Sequence, residues 1–209
     1  SVVVGSASKF ENNQVKYRPV YWTSSRQVVE LSNPLAIPNQ YWVGTAAYIN
    51  SSGIIVGTVG NGGDTINGVK WDLDGNAEVL SKTTDTGITL PWTLPEALLD
   101  DGTVVGWGRI NNNRVGLLWT SSGQAIELRN LLNSTAQLVE ETAINNSHYS
   151  IGRARNSSGQ YVAVRWSPTG EPLALDRLQD APNNATDLAY DINDLNFAVG
   201  KSVTSVYQR

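Results

Sequence analysis

Short apolar runs, each closed by polar or glycine-rich turns, alternate along the whole chain and recur in a fixed order. Run a reads Ala46-Ala-Tyr-Ile-Asn50, Glu96-Ala-Leu-Leu-Asp100, Glu141-Thr-Ala-Ile-Asn145 and Leu188-Ala-Tyr-Asp-Ile-Asn193. Run b reads Ile54-Ile-Val-Gly57, Thr103-Val-Val-Gly106, Tyr149-Ser-Ile-Gly152 and Phe197-Ala-Val-Gly200, with a fifth copy, Val2-Val-Val-Gly5, at the start. Run c ends on tryptophan: Pro19-Val-Tyr-Trp22, Gly68-Val-Lys-Trp71, Gly116-Leu-Leu-Trp119 and Ala163-Val-Arg-Trp166. Run d reads Val28-Val-Glu-Leu31, Ala77-Glu-Val-Leu80, Ala125-Ile-Glu-Leu128 and Leu173-Ala-Leu175. The runs are short and rich in Val, Ile, Trp and Tyr. No window carries the i, i+3, i+4, i+7 spacing of an amphipathic helix, so they read as strands.

The four tryptophans that close run c stand 49, 48 and 47 residues apart. A fixed period of that length marks a repeat architecture. Two residues before each Trp stands Val20, Val69, Leu117 or Val164, on the same face; the residue between is Tyr21, Lys70, Leu118 or Arg165. That is period two with one strict face, which places the Trp in the core. In b both faces are apolar or small, as an inner strand covered on two sides requires.

The turns account for the other recurrent residues. One slot between a and b holds Gly53, Gly102, His148 and Asn196, residue types that tolerate a positive φ, so the slot demands the left-handed region. Asn50, Asp100, Asn145 and Asn193, just before it, are suited to bonding the backbone two residues on. Gly75, Gly123 and Gly170 follow the c-run Trp by four residues, with Arg26 in the first copy. The d–a connections are the long, variable ones, where a scaffold carries its function.

Four-stranded units of this length, none able to bury its own faces, predict an all-β fold: a β-propeller of about four four-stranded blades in a single domain, 1–209. Cutting the chain as c-d-a-b puts blades at approximately 15–57, 65–106, 114–152 and 160–202, with one surplus N-terminal strand at 2–7. An unpaired apolar strand invites a partner. Three arrangements supply one: closure into the last blade, a place in a propeller with more blades, or donation of Val2, Val3, Val4 and Gly5 to a neighbouring copy.

The order Ala-x-Ile-Asn, Gly-x-Val-Val-Gly, then an apolar run to Trp, Gly and Leu resembles the HAF-repeat family of bacterial extracellular proteins. The likeness spans essentially the whole chain. It departs at Arg26 for Gly, at Leu99-Asp100 for Ile-Asn, and at His148 and Asn196 for Gly. The resemblance implies a propeller and secretion, and it brings no catalytic residues.

Composition narrows the partners. Lys plus Arg is 15 against 19 Asp plus Glu, net charge -4, with no basic stripe, so a nucleic-acid partner is not expected. No apolar run approaches the ~20 residues of a membrane-spanning helix. Cys and Met are absent, which removes disulfides and thiolate metal sites and suits a secreted bacterial protein. Beginning at Ser1, the chain reads as a processed or excised piece of a longer precursor.

Candidate chemistry is sparse. His148, the sole histidine, occupies a turn slot, so neither a Ser-His-Asp triad nor a zinc or copper site is expected. Asp72-Leu-Asp74-Gly-Asn76 has the opening of a calcium loop, but it aligns with plain c–d hairpin turns. Gly60-Asn-Gly-Gly-Asp64 reads as a b–c turn. Asp100-Asp101, Glu140-Glu141, Asp191 and Asp194 are the carboxylates a glycoside hydrolase would draw on, yet adjacent strand residues face opposite ways. The candidate ligand site is Trp42 and Trp92, each seven residues before the end of run a (Ile49 and Leu99), with Tyr41 beside the first; aromatics on neighbouring loops stack on a sugar or anchor a protein. The expectation is a non-catalytic extracellular or cell-surface module, structural or interacting, without cofactor or metal. Its partners are copies of itself, a surface protein or a glycan. A carbohydrate-binding propeller and a hydrolase using loop carboxylates are the alternatives.

Overall fold

The computed structural model of the chain describes residues 1–35, 37–38, 42–61, 66–111, 113–131, 140–179 and 186–202, the side chains of 140–142 excepted. Among these residues there are strands and turns and no helix. The first sheet has three strands, β1 (Val3–Glu11), β2 (Gln14–Trp22) and β3 (Val28–Glu30). Three four-stranded sheets follow. They are β4 (Val43–Ile49) to β7 (Ala77–Val79), with β5 (Ile55–Gly60) and β6 (Ile66–Trp71) between; β8 (Trp92–Leu98), β9 (Val104–Ile110), β10 (Asn113–Trp119) and β11 (Ala125–Leu128); and β12 (Glu140–Ile144), β13 (Ser150–Arg155), β14 (Tyr161–Trp166) and β15 (Pro172–Ala174). The last sheet is a pair, β16 (Leu188–Ile192) and β17 (Ala198–Lys201). All pairings within the sheets are antiparallel meanders of sequential neighbours.

The all-β, propeller-like class expected from the repeat is what the structure shows, with four strands each of types a, c and d and five of type b among the described residues. The blade boundaries are different. Each complete sheet runs a-b-c-d, not c-d-a-b, because the b strand bonds to the c strand that follows it and no described d strand bonds to the next a strand. The N-terminal b strand is the edge of the first sheet. Val3, Val4 and Gly5 stand opposite Trp22, Tyr21 and Val20, in a register that continues to Glu11 and Gln14. It does not pair into the last sheet, and as a donated strand it would have to leave this hairpin first.

Successive sheets stack face to face, and the same residues build every interface. The preceding sheet contributes the Leu at the end of its d strand, or just past it, and the residue before its b glycine. The following sheet contributes its c-strand Trp. Leu31 and Val4 thus pack with Trp71, Leu80 and Val56 with Trp119, and Leu128 and Val105 with Trp166. These three tryptophans are at most 1% exposed. Each indole N–H donates across the interface to the carbonyl just past the preceding d strand: Trp71 to Ser32 at 2.8 Å, Trp119 to Ser81 at 2.8 Å and Trp166 to Arg129 at 2.6 Å. A buried donor without such an acceptor would be costly, so the bond sets how the sheets dock. Trp22, with no described sheet before it, is half-buried.

Two backbone constraints explain the recurrent small residues. In every a strand the register slips by one residue, as between Ala46 and Tyr48 or Pro95 and Ala97. This bulge pushes a carbonyl against the partner strand. A Cβ on Gly57, Gly106 or Gly200 would lie 2.0, 2.1 or 2.2 Å from the oxygens of Thr45, Leu94 and Leu188, which is why b ends on glycine there. The a–b slot is left-handed as expected: Gly53, Gly102, His148 and Asn196 have φ of 81°, 89°, 61° and 64°. Arg26, standing where later copies have glycine, is likewise at φ 65°.

Trp119→Phe keeps an aromatic ring in the core but removes the N–H and strands the Ser81 carbonyl. The expected loss is about 1–3 kcal/mol, read as a lower urea midpoint at unchanged m-value. Trp22→Phe is expected to lower the midpoint less.

Candidate functional site

Trp42 and Trp92 do not form one site. The b strands supply the alignment: Ala46 faces Gly57 and Pro95 faces Gly106. Counting back, Trp92 corresponds to Val43, and Trp42 to Pro91. The expected equivalence was off by one because Leu99, not Asp100, fills the turn position of Asn50. Leu99 N–H bonds the Thr103 carbonyl and Gly102 N–H the Leu99 carbonyl, as Asn50 does with Ile54 and Gly53. A one-residue slip on a strand reverses the face a side chain takes.

Trp42 is a core residue, 3% exposed, between the first and second sheets. The guanidinium of Arg18 lies 4.2 Å above its ring, and Arg18 Nη1 donates to its carbonyl. Arg18 is itself buried and pairs with Glu11 and Glu30. Neither ring face is open to a ligand, so the proposed role of Trp42 in ligand binding is withdrawn. Tyr41 lies outside the described residues.

Trp92 is half-buried on the other face, and it has a neighbour that the sequence analysis passed over. Trp92, Arg109 and Arg114 form one row across β8, β9 and β10, and Leu94, Trp107 and Gly116 form the next. The Trp92 and Trp107 rings stand 4.7 Å apart, tilted by 54°. Arg114 covers Trp107 at 4.1 Å and Arg109 lies 5.9 Å from the Trp92 ring. The Trp107 indole donates to Glu96 Oε1 at 2.6 Å. Extending run b beyond Gly106 would have shown a Trp between two glycines, where the other copies have Ser6, Thr58, Arg153 and Lys201. The result is a half-exposed patch with cations and a carboxylate at its rim.

Of the other carboxylates, Asp100, Asp101 and Asp194 tie blades together and Asp72 and Asp191 bond locally. Asn50 Nδ2 donates to the Leu99 carbonyl at 2.9 Å while Ser51 N–H donates to Asp100 Oδ1 at 3.0 Å. Asn145 and Asn146 repeat this on the Asn193 carbonyl and Asp194 Oδ1, both at 2.9 Å. Between these joints, His148 Nε2 lies 2.8 Å from Asp101 Oδ2. Asp191 accepts from its neighbour Ile192 N–H at 2.9 Å. Asp72 accepts from the backbone of Asp74 and Asn76 and from the Asn76 side chain, closing the hairpin turn. Residues 62–65 of the glycine-rich turn, and the Glu140 and Glu141 side chains, lie outside the described residues.

These bonds shift titration. The backbone N–H of Ser51, with its side chain, holds Asp100 below its ordinary value; the Asn146 side chain, then its N–H, does the same for Asp194. Burial pushes Asp101 up, but bonds from Thr103 and His148 outweigh it and the net direction is down.

A second feature lies at the last sheet. Strand β17 has β16 on one edge and no described strand on the other. Val199 is 63% exposed, where its counterparts Val56, Val105 and Ile151 are 0%. Leu195 and Phe197 beside it are 76% and 69% exposed. A cavity of about 440 Å³ opens here, lined among others by Leu175, Asp176, Ala189, Ala198, Val199 and Gly200. The buried Asp187 carboxylate pairs with Arg177 at its rim.

No protein-family model matches the chain, and no curated protein matches it. Among solved structures it is similar to a glycosyl hydrolase from Bacteroides ovatus, with 9% identity over 92% of this chain and 74% of the other and a TM-score of 0.38. It is also similar to a structure from the GH130 family of mannoside phosphorylases, a family that contains glycoside hydrolases targeting β-1,2 mannosidic linkages in Candida mannan. There the identity is 10%, over 92% and 74% of the two chains, and the TM-score is 0.35. Likeness at this level is no argument for a shared activity.

The carboxylate ties carry a pH signature. With folded values below the unfolded ones, they add stability above the ordinary carboxylate range, and it is lost as pH falls through the folded values, below about pH 4. The urea midpoint is expected to hold between about pH 7 and 5 and drop below about 4. In the double variant Asp100→Asn, Asp194→Asn that drop is expected to be shallower.

Proposed function

We propose that this chain is a non-catalytic interaction module of the HAF-repeat kind, working outside the cell or at its surface and associating through an open face of its repeat. The observation that supports this is the last sheet, where Val199 is 63% exposed against 0% in each complete sheet. An exposed apolar sheet face, whose edge strand has no described neighbour on one side, is a surface to which sheets add strands. Asp72, Asp100, Asp101 and Asp194 accept hydrogen bonds within turns or across blade joints, which favours a structural use for them.

A second reading, a carbohydrate-binding surface, draws on one specific observation: the half-exposed Trp92–Trp107 pair with Glu96, Arg109 and Arg114 around it. Aromatic faces with polar groups at their rim suit a sugar ring.

Light scattering on a sizing column separates the two. Association that rises with concentration, and falls in the double variant Phe197→Lys, Val199→Lys, is the expected outcome; a strict monomer at every concentration would remove self-association. On a glycan array, binding lost in Trp92→Ala and Trp107→Ala would establish the carbohydrate reading, and no hit with the native chain ends it.

A further inference from the structure

Two arginines of the third sheet face each other without a counter-charge. Arg109 of β9 stands opposite Arg114 of β10, on the face that carries Trp92 and Trp107. Side chains so paired leave the strands about 5 Å apart, and like charges placed there repel. Among the described residues neither guanidinium pairs with a carboxylate; their contacts are the two tryptophan rings. The repeat does not ask for this pair. The same cross-strand position holds Gly60 and Ile66 in the second sheet, and Arg155 and Tyr161 in the fourth. In a chain of net charge -4, an arginine pair lacking an acidic partner is a cost that the fold itself does not explain.

The surroundings present the pair beside an aromatic surface. Gly116, opposite Trp107, adds no side chain, so Arg114 leans across and lies 4.1 Å above that ring. Arg109 is exposed, and its guanidinium is 5.9 Å from the Trp92 ring, which is itself half-exposed and less closely covered than Trp107. The Glu96 carboxylate is engaged by the Trp107 indole N–H. A planar guanidinium holds a carboxylate on two parallel N–H bonds, and an indole face takes the apolar side of a ring.

We infer that this patch binds an acidic saccharide: a uronate unit whose carboxylate is held by Arg109 and Arg114 and whose ring lies on Trp92. The inference rests on the carbohydrate reading above and names its ligand class. A neutral sugar would meet the tryptophans but leave the two cations facing each other. A simple anion would neutralise the cations but leave the indole face bare. A uronate supplies charge and ring in one unit, and its carboxylate relieves a repulsion already present in the free chain.

Isothermal titration calorimetry on the intact chain tests this with tetramers of galacturonate and of mannuronate. Each is titrated beside its carboxyl-reduced neutral form, with tetraglutamate as the peptide control. Saturable binding of a uronate tetramer is expected, at least about tenfold tighter than that of its neutral form, the scale of one charge-assisted bond. The advantage is expected to shrink as salt is raised. Arg109→Gln is expected to remove most of it without lowering the urea midpoint, since the variant also removes the like-charge pair. Trp92→Ala is expected to weaken acidic and neutral forms alike. Equal binding of acidic and neutral tetramers overturns the uronate seat and leaves the carbohydrate reading standing. A preference for the acid that survives in Arg109→Gln lies elsewhere on the chain and overturns the seat. Tetraglutamate bound as tightly as the uronates makes the patch a general anion site and also overturns it. No saccharide bound removes the seat, and with a blank glycan array the carbohydrate reading falls with it.

Discussion

One hydrogen bond, repeated, holds the stack in register: the indole N–H of each c-strand tryptophan on a carbonyl of the sheet before it. An aromatic ring of that size dominates the apolar surface of its interface, and its single polar atom must find a partner once buried. The ring therefore supplies attraction and the N–H supplies position. The recurrent residues around it follow. The d-end leucine and the residue before the b glycine wall the ring. The b glycine admits the bulged neighbour strand that lets a-b-c-d close as one sheet. Neighbouring sheets are the only contacts each sheet needs, so stability accrues interface by interface.

A second system works at one end of the sheets, where the a–b turns meet. The amide of Asn50 and the amide of Asn145 reach the backbone of the next turn, and an aspartate of that turn reaches back. The joint between them lacks the amide because Leu99 sits in its place, and His148 with Asp101 bridges it instead. The one histidine is thus both the left-handed turn residue and the tie across a blade joint.

Strand types, their order, the left-handed slot and the burial of the c-run tryptophans were all legible, because each leaves a periodic mark on the residues. The phase was not. A repeat of a, b, c and d reads the same from any starting strand, and only the hydrogen bonds, present from b to c and absent from d to the next a among the described strands, show where the sheets divide. Trp42 and Trp92 failed for a related reason. Leu98 and Leu99 are both apolar, and choosing the wrong one as the end of run a moved the alignment by a residue and turned a core ring into a supposed surface one. Trp107 lay one position beyond the run as drawn. The cavity beside β17 was not legible, because its lining, Leu175, Ala189 and Gly200 among others, follows the same repeat as the buried interfaces.

The indole bonds also have a direction. Each donor lies downstream of its acceptor, by 39, 38 and 37 residues, and none points the other way. During synthesis from the N-terminus, a sheet's docking carbonyl is made before the ring that will seek it. The contact distance along the chain stays nearly constant however many sheets are added, so the closure entropy per joint, which grows only with the logarithm of loop length, does not rise along the array. At these three joints each new sheet is docked on a surface already in place.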